Sequence, residues 1–443
     1  MRRLFPILFV IFLLVPVFAH AASITASTTA YTLKNGMKVI IVEDHKAPLA
    51  VFEVWYRVGS RNEPLGKTGM SHLLEHMMFK GTPKYGSKQF SNIIQRNGGT
   101  DNAFTTKEYT TYFQSLASDR IGISIELEAD RMRNLLLDPQ EVIAERNVVM
   151  EERRMRYVDD PQNLLYEEMV VTAFNAHPYR WPVIGWMSDI ASIERDDLYH
   201  YYRKYYAPNN AFIVIAGDVY PDKIVPHIEK EFGSIPPVEN GRQEVATIEP
   251  PQQGEKRITI RKETAELPYI LIAYHVPTFP HEDNYALDVL STILSGGRSS
   301  RLYRSLVYEK RIAISAFADY NNLYRDPFLF VLGANAAPGK SIEDIEQALY
   351  EEMERVIKEP PSPEEVQKAK NQVEAAFIFA QDSNYSKAMH TGMFEMIGGW
   401  KLMDTYLEGI RKVKAEDVQA VAKKYFSNTN KTVGVLLPKK GAQ

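Results

Sequence analysis

Two distant stretches of this chain can be laid one on the other, and that repeat limits the possible fold more than any other feature. Residues 197–210 (DLYHYYRKYYAPNN) match 417–430 (DVQAVAKKYFSNTN) at the Asp, at Lys-Tyr and at the final Asn, and a strand-like run follows each. A second register sets Asp138-Pro139-Gln140-Glu141-Val142 against Ser362-Pro363-Glu364-Glu365-Val366, then Asn147 against Asn371 and Val149 against Val373. Both read as helix starts, with a capping Asp or Ser and proline in the first turn. A chain repeated in this way builds one architecture twice.

Between the copies, residues 233–256 hold Pro236-Pro237, Asn240-Gly241, Pro250-Pro251 and Gly254 with little apolar periodicity, the composition of a linker. On either side, strand-like runs alternate with amphipathic helices. Strands are predicted at 37–42 and 50–58 ahead of a helix carrying His72, and at 257–261 and 269–276 ahead of a helix at about 285–294. The predicted class is α+β: two homologous α/β-sandwich-like halves, each an antiparallel sheet covered by helices. The expected boundaries are 22–235, a linker at 236–256, and 257–443. With 443 residues, 45% apolar and 24% charged, the chain has material for both.

The N-terminus differs from the rest. Arg2 and Arg3 precede an apolar run from Leu4 to Phe18, and Ala19-His20-Ala21 forms an A-x-A site, so 1–21 is expected to be a secretory signal peptide cut after Ala21. The alternative is retention as an anchor, and no later stretch has the length of a membrane span. An exported, periplasmic location follows. Cleavage removes both arginines and moves the formal charge from −4 to −6, so no affinity for nucleic acid is expected. There is no cysteine. Disulfides, thiolate metal sites and a cysteine nucleophile are therefore excluded, and any metal must be held by histidine and carboxylate.

The run His72-Leu73-Leu74-Glu75-His76 supplies such groups. Positions i and i+4 of a helix share a face, so both imidazoles can reach one metal, with Glu75 at its edge. This H-x-x-E-H order is the inverted zinc-protease signature. A catalytic zinc takes three protein ligands and keeps a position open for water, whose proton a nearby carboxylate removes. Two histidines leave such a site incomplete.

The repeat acts as an internal control in the search for the third group. The first-copy helix 141–153 (EVIAERNVVMEER) carries Glu145 and Glu152 where the second, 365–377 (EVQKAKNQVEAAF), carries Ala369 and Ala376. Seven residues are close to two turns, so these two acids share a face and Glu151 is rotated about 100° away. The half with the histidines has the in-line acids.

Followed after 75 residues by Glu152, the 72–76 run resembles the pattern of the pitrilysin/insulinase family of zinc metallopeptidases, in particular its processing-peptidase branch and short bacterial two-subunit members. The resemblance extends over about 31–437 and includes Lys80-Gly81-Thr82, His177-Pro178-Tyr179 and Pro182-Val183-Ile184-Gly185. It implies a zinc endopeptidase with one Zn2+ per chain, held by His72, His76 and Glu152. It implies Glu75 as the general base acting on a zinc-bound water, and Glu145 as an acid supporting the site from behind.

Residues 98–105 (GGTDNAFT) resemble the family's exposed substrate strand, which implies that Asn102, Ala103 and Phe104 bind extended or unfolded peptides by strand addition. Self-sufficient members also carry an Arg, and a Tyr seven residues later, in the second half. Here those positions fall on Val307 or Tyr308 and on Ile314 or Ser315, while Arg301 and Tyr308 have the spacing out of register. The resemblance thus implies the zinc-bearing subunit of a heterodimer whose homologous partner supplies the Arg and Tyr. The alternative is a catalytically weak scaffold or assembly subunit of the same fold. The tyrosines between 199 and 206 and the lone His177, His200 and His275 are read as packing residues.

Overall fold

A computed structural model describes residues 23–239 and 244–439. The expected signal peptide lies outside the described residues, as do Asn240 and Gly241 of the linker. The first half contains strands β1 (Thr28–Thr32), β2 (Lys38–Glu43), β3 (Leu49–Tyr56), β4 (Thr100–Thr105), β5 (Thr110–Ala117) and β6 (Ala211–Gly217). Its helices are α1 (Met70–Met77), α2 (Gln89–Arg96), α3 (Ile121–Asn134), α4 (Pro139–Arg153), α5 (Pro161–Ala173), α6 (Met187–Ser192), α7 (Arg195–Tyr205) and α8 (Pro221–Phe232). The second half contains β7 (Lys256–Lys262), β8 (Tyr269–Val276), β9 (Ala313–Tyr320), β10 (Phe328–Ala336) and β11 (Lys431–Pro438). Helices α9 (Asp283–Ser295), α10 (Ile342–Lys358), α11 (Pro363–Phe379), α12 (Asn384–Ile397), α13 (Leu402–Lys412) and α14 (Ala415–Tyr425) complete it.

The sheets run β1-β2-β6-β3-β5-β4 and β7-β11-β8-β10-β9, the same order apart from the extra β1. Each is mostly antiparallel with one parallel pair, β2 with β6 and β7 with β11, where the sequence predicts antiparallel sheets. The reason is geometric. A late strand inserted between two antiparallel neighbours must run parallel to one of them. Both late strands are apolar because both faces are covered, as the fully buried AFIVIAG of β6 shows. By contrast β7, at an edge, alternates half-buried and exposed residues.

Residues matched by the repeat do the same work in each half. Asp197 accepts the Glu194 N–H and Asp417 the Lys414 N–H, both at 2.9 Å, each at the start of its helix. Asn210 and Asn430 donate to the carbonyls of Tyr205 and Tyr425 at 2.9 and 2.8 Å, fixing the turn into the late strand. Asp138 and Ser362 cap α4 and α11 through their side chains, with proline in the first turn.

The halves also exchange a helix. α5 lies on β7, β8 and β11 of the second sheet, and α12 on β3 and β6 of the first. Leu165, Met169 and Phe174 pack with Leu271, Phe328 and Leu436. On the other side Gly392 of α12 sits over Trp55, so closely that a Cβ there would stand 2.2 Å from the indole. The linker divides the two sheets while their covering layers cross it. It is itself pinned, because the Glu249 carboxylate accepts the N–H groups of Asn175, Ala176 and His177 at 2.7–2.9 Å. Among the described residues no helix is long and apolar enough to cross a membrane. Tyr201, Tyr202, Tyr205 and Tyr206 are buried in the first core.

Candidate metal centre

Helix α1 starts at Gly69, whose φ of +95° and lack of a side chain leave it unable to cap the helix. Glu63 does so instead, accepting the Gly69 and Ser71 N–H groups at 2.7 Å each. A glycine is required there, since a Cβ would meet the Ile184 carbonyl at 2.6 Å. From this anchored start, His72 and His76 project one turn apart with ring centroids 4.7 Å from each other.

Helix α4 packs against α1 and brings its acids to the rings. Glu152 Oε2 lies 3.5 Å from His76 Nε2 and 3.8 Å from His72 Nε2. Potential ligand atoms of His72, His76 and Glu152 all lie within 4.8 Å of one another. Glu145 reaches the opposite side of His76, with Oε1 2.8 Å from Nδ1. Glu151, rotated away, pairs with Arg154 in solvent at 2.6 Å.

The electrostatics suit a cation. Hydrogen bonding to His76, followed by that to Lys80 (2.5 Å), holds the Glu145 carboxyl down to about 2, so it is ionised. Burial works against charge on His76, yet the Glu145 hydrogen bond and the neighbouring Glu75, Glu145 and Glu152 raise its pKa above the ordinary value. The Glu145 contact keeps the His76 proton on Nδ1 and leaves Nε2 facing Glu152, the usual outer support of a metal-binding imidazole. Burial, then repulsion from His76, pushes His72 down to about 3, which keeps it neutral and able to donate a lone pair. Two imidazoles and a carboxylate, without any thiolate, are a donor set that fits zinc with one position open.

Glu75 stands beside this group, 9% exposed. Burial raises its carboxyl above the usual range, opposed by a 2.6 Å hydrogen bond from Thr105 Oγ1 to Oε2. A cleft of about 450 Å3 opens here, lined by Glu75, His76, Lys80, Asn102 and Glu145 among others.

Three contributors are given no role by the sequence reading. Arg156, which pairs with Glu152 Oε1 at 2.7 Å, follows its target by four residues, a helical spacing that could have revealed it, whereas Lys80 meets Glu145 only through the packing of α1 on α4. Thr105 has no local signal, because its contact with Glu75 exists only through the docking of β4 against α1.

Asn102, Ala103 and Phe104 lie on β4, the edge of the first sheet, bonded only to β5. The Ala103 N–H donates to Asn102 Oδ1 at 2.9 Å, and Phe104 meets Tyr109 and Phe113 edge-on. In the second half Val307 packs against the core, while Tyr308, Ile314 and Ser315 are exposed. Arg301 is held by Glu365 in a two-point ion pair at 2.9 and 2.8 Å.

Residues 38–185 match the family model described as insulinase (peptidase family M16), and 192–373 match the one described as the peptidase M16 inactive domain. The chain is 34% identical to the zinc protease PqqE of Helicobacter pylori over 422 residues, 95% of each protein. The crystal structure of a protease from Helicobacter pylori superposes with a TM-score of 0.89 at 33% identity, covering 93% of this chain and 99% of that one. The periplasmic protease PqqL from Escherichia coli shares the fold, with a TM-score of 0.79 at 17% identity, over 93% of this chain and 48% of its own. By sequence and by fold, the chain belongs to the insulinase family of peptidases, family M16.

Proposed function

We propose that this protein is a zinc-dependent endopeptidase acting on extended or unfolded peptides, with His72, His76 and Glu152 as metal ligands and Glu75 as general base. The observation that carries this reading is the convergence of three ligand atoms within 4.8 Å beside a buried carboxylate of raised pKa. A zinc ion held there supplies Lewis acidity, polarising a carbonyl and acidifying a water. Thr105 fixes Oε2 of Glu75, so Oε1 takes the proton of the attacking water and returns it to the leaving amine. Glu145 orients His76 and balances its charge. The substrate adds to β4 as an extra strand, using the backbone of Asn102, Ala103 and Phe104.

In the same reading, 22–235 is the peptidase unit and 257–443 the homologous non-catalytic unit, the signal peptide sends the chain to the periplasm, and a homologous subunit supplies the missing Arg and Tyr. Support for the partner comes from the apolar or exposed groups at the expected second-half positions and from the commitment of Arg301 to Glu365. The PqqL likeness is in keeping with it, since this chain spans about half of that protein's length. The second reading, a scaffold of the same fold, is favoured by those same second-half positions.

Glu75→Gln separates the two. The variant is expected to retain zinc while peptide turnover falls by roughly 10²–10⁴-fold, the range for loss of a general base. Turnover equal to wild type at full zinc loading removes the proposed role of Glu75.

A further inference from the structure

The β4–β5 hairpin carries Thr105, the hydrogen-bond donor to Glu75, at its last ladder pair with Thr110. Its tip, residues 106–109, is tied down from two sides. The backbone of the β3–α1 connection is zipped to it, with the Ser60 and Arg61 N–H groups donating to the carbonyls of Thr106 and Lys107 at 3.1 Å. Gly59 is needed for that approach, because a Cβ would lie 2.4 Å from the Thr106 carbonyl oxygen.

The second tie is ionic and reaches the other half of the molecule. Glu108, 5% exposed at the tip, accepts from Arg61 Nη1 with both carboxylate oxygens at 2.7 Å. Arg61, also 5% exposed, donates as well to Tyr179 Oη at 3.1 Å and to Asp326 of the β9–β10 loop. Tyr179 donates to Glu108. The Arg325 N–H reaches Glu108 Oε1, and the Asp326 N–H reaches Tyr179 Oη, both at 3.2 Å. His177 closes the far side, its Nε2 3.4 Å from Asp326.

Such a cluster costs desolvation of several charges, which its mutual pairing must offset. Greasy contacts would join the halves as firmly. What the ionic cluster adds is direction, since Arg61 and Glu108 allow one orientation of the tip relative to residues 325–326. A displaced tip moves Thr105, and a displaced Thr105 releases Glu75 Oε2.

We propose that Arg61 and Glu108 are positioning residues through which the second half, by way of Asp326, holds Thr105 and thereby Glu75 in its working orientation. The proposal rests on the reading of Glu75 as the general base. It gives the second half a task in the reaction although it contributes no group to the metal centre.

Asp326 is the informative position to change. It is partly exposed, and its loss leaves Arg61 still paired with Glu108, so no buried charge is stranded. In the full-length chain, purified with any subunit it retains, Asp326→Ala is expected to lower kcat roughly tenfold, a modest share of what misplacement by an ångström costs. KM is expected to stay within about twofold and zinc content to stay the same, and Asp326→Glu to recover most of the loss. Thr105→Val is expected to cost a similar factor, and the double variant to cost no more than either single one, because both break the same chain of contacts. Amide exchange at 103–109, which needs no turnover, is expected to accelerate in Asp326→Ala. Multiplicative losses in the double variant, a matching rise in KM, or unchanged exchange would overturn the coupling. Glu75→Gln keeps the two ideas apart: if it retains turnover the base assignment falls, whereas if it is inactive and Asp326→Ala turns over normally, the coupling alone falls.

Discussion

α1 and α9 occupy the same place in their halves, each after a central strand and before an edge hairpin, and each packs against the capped helix that follows, α4 or α11. Their chemistry is opposite. α1 presents His72, Glu75 and His76 to Glu145 and Glu152, whereas α9 buries Leu287, Val289, Leu290, Ile293 and Leu294 and faces a helix with Ala369 and Ala376. Asp288 of α9, half-buried, is answered by Tyr406 and by Asn322 at 3.2 Å. One helix pair therefore serves either as a metal-capable cleft or as closed core. Buried acids persist only where partners satisfy them, as His76 and Lys80 do for Glu145.

That contrast can be broken from the metal side first. His76→Ala removes one of three proposed ligands, and zinc measured after dialysis is expected to fall from about one ion per chain to a small fraction of that, with His72→Ala alike. Retention of stoichiometric zinc would mean that the cleft is not the binding site.

A smaller effect is expected at Glu145. Loss of an outer carboxylate partner weakens metal affinity by roughly 10–100-fold, so Glu145→Gln should bind zinc measurably but more loosely in a chelator competition. The metal-free protein offers a pH test of the same contact. Because the folded-state carboxyl is held down to about 2, its stabilisation is present above the unfolded value of about 4.3 and is lost as pH falls towards 2. Denaturation midpoints of wild type and Glu145→Gln are expected to differ near neutrality and to converge in acid. Midpoints that stay apart at low pH would assign Glu145 some other role.

The smallest effect sharpens the comparison from the other half. Ala376 is exposed, so Ala376→Glu is expected to shift stability by less than about 0.5 kcal/mol and to leave zinc at one ion per chain. A second bound ion would show that α9 and α11 are closer to a metal centre than their side chains indicate.

Much of this was legible before any coordinates. The repeat, read from a handful of matched residues, anticipated two sheets of one topology, and Asp197, Asp417, Asn210 and Asn430 turn out to make matching hydrogen bonds. The face shared by Glu145 and Glu152 followed from helical spacing alone. Strand limits were read to within two residues, as with β8 at Tyr269–Val276. These are local properties, set by periodicity and capping, and a linear string carries them.

Other features depend on segments far apart in the chain. Nothing in 161–173 announces that α5 covers the sheet of the other half, because an amphipathic pattern states that a face is buried and not against what. The parallel pairs came from where β6 and β11 insert, a choice of topology. Thr105 beside Glu75 and Asp326 beside Arg61 come together only through docking of strands and loops. The sequence by itself determined the repeat, the helices and the chemical groups the cleft would contain. Tertiary structure decided which ring nitrogen of His76 Glu145 meets, what holds Glu75, and how the second half reaches the first, because those depend on long-range packing that local periodicity does not encode.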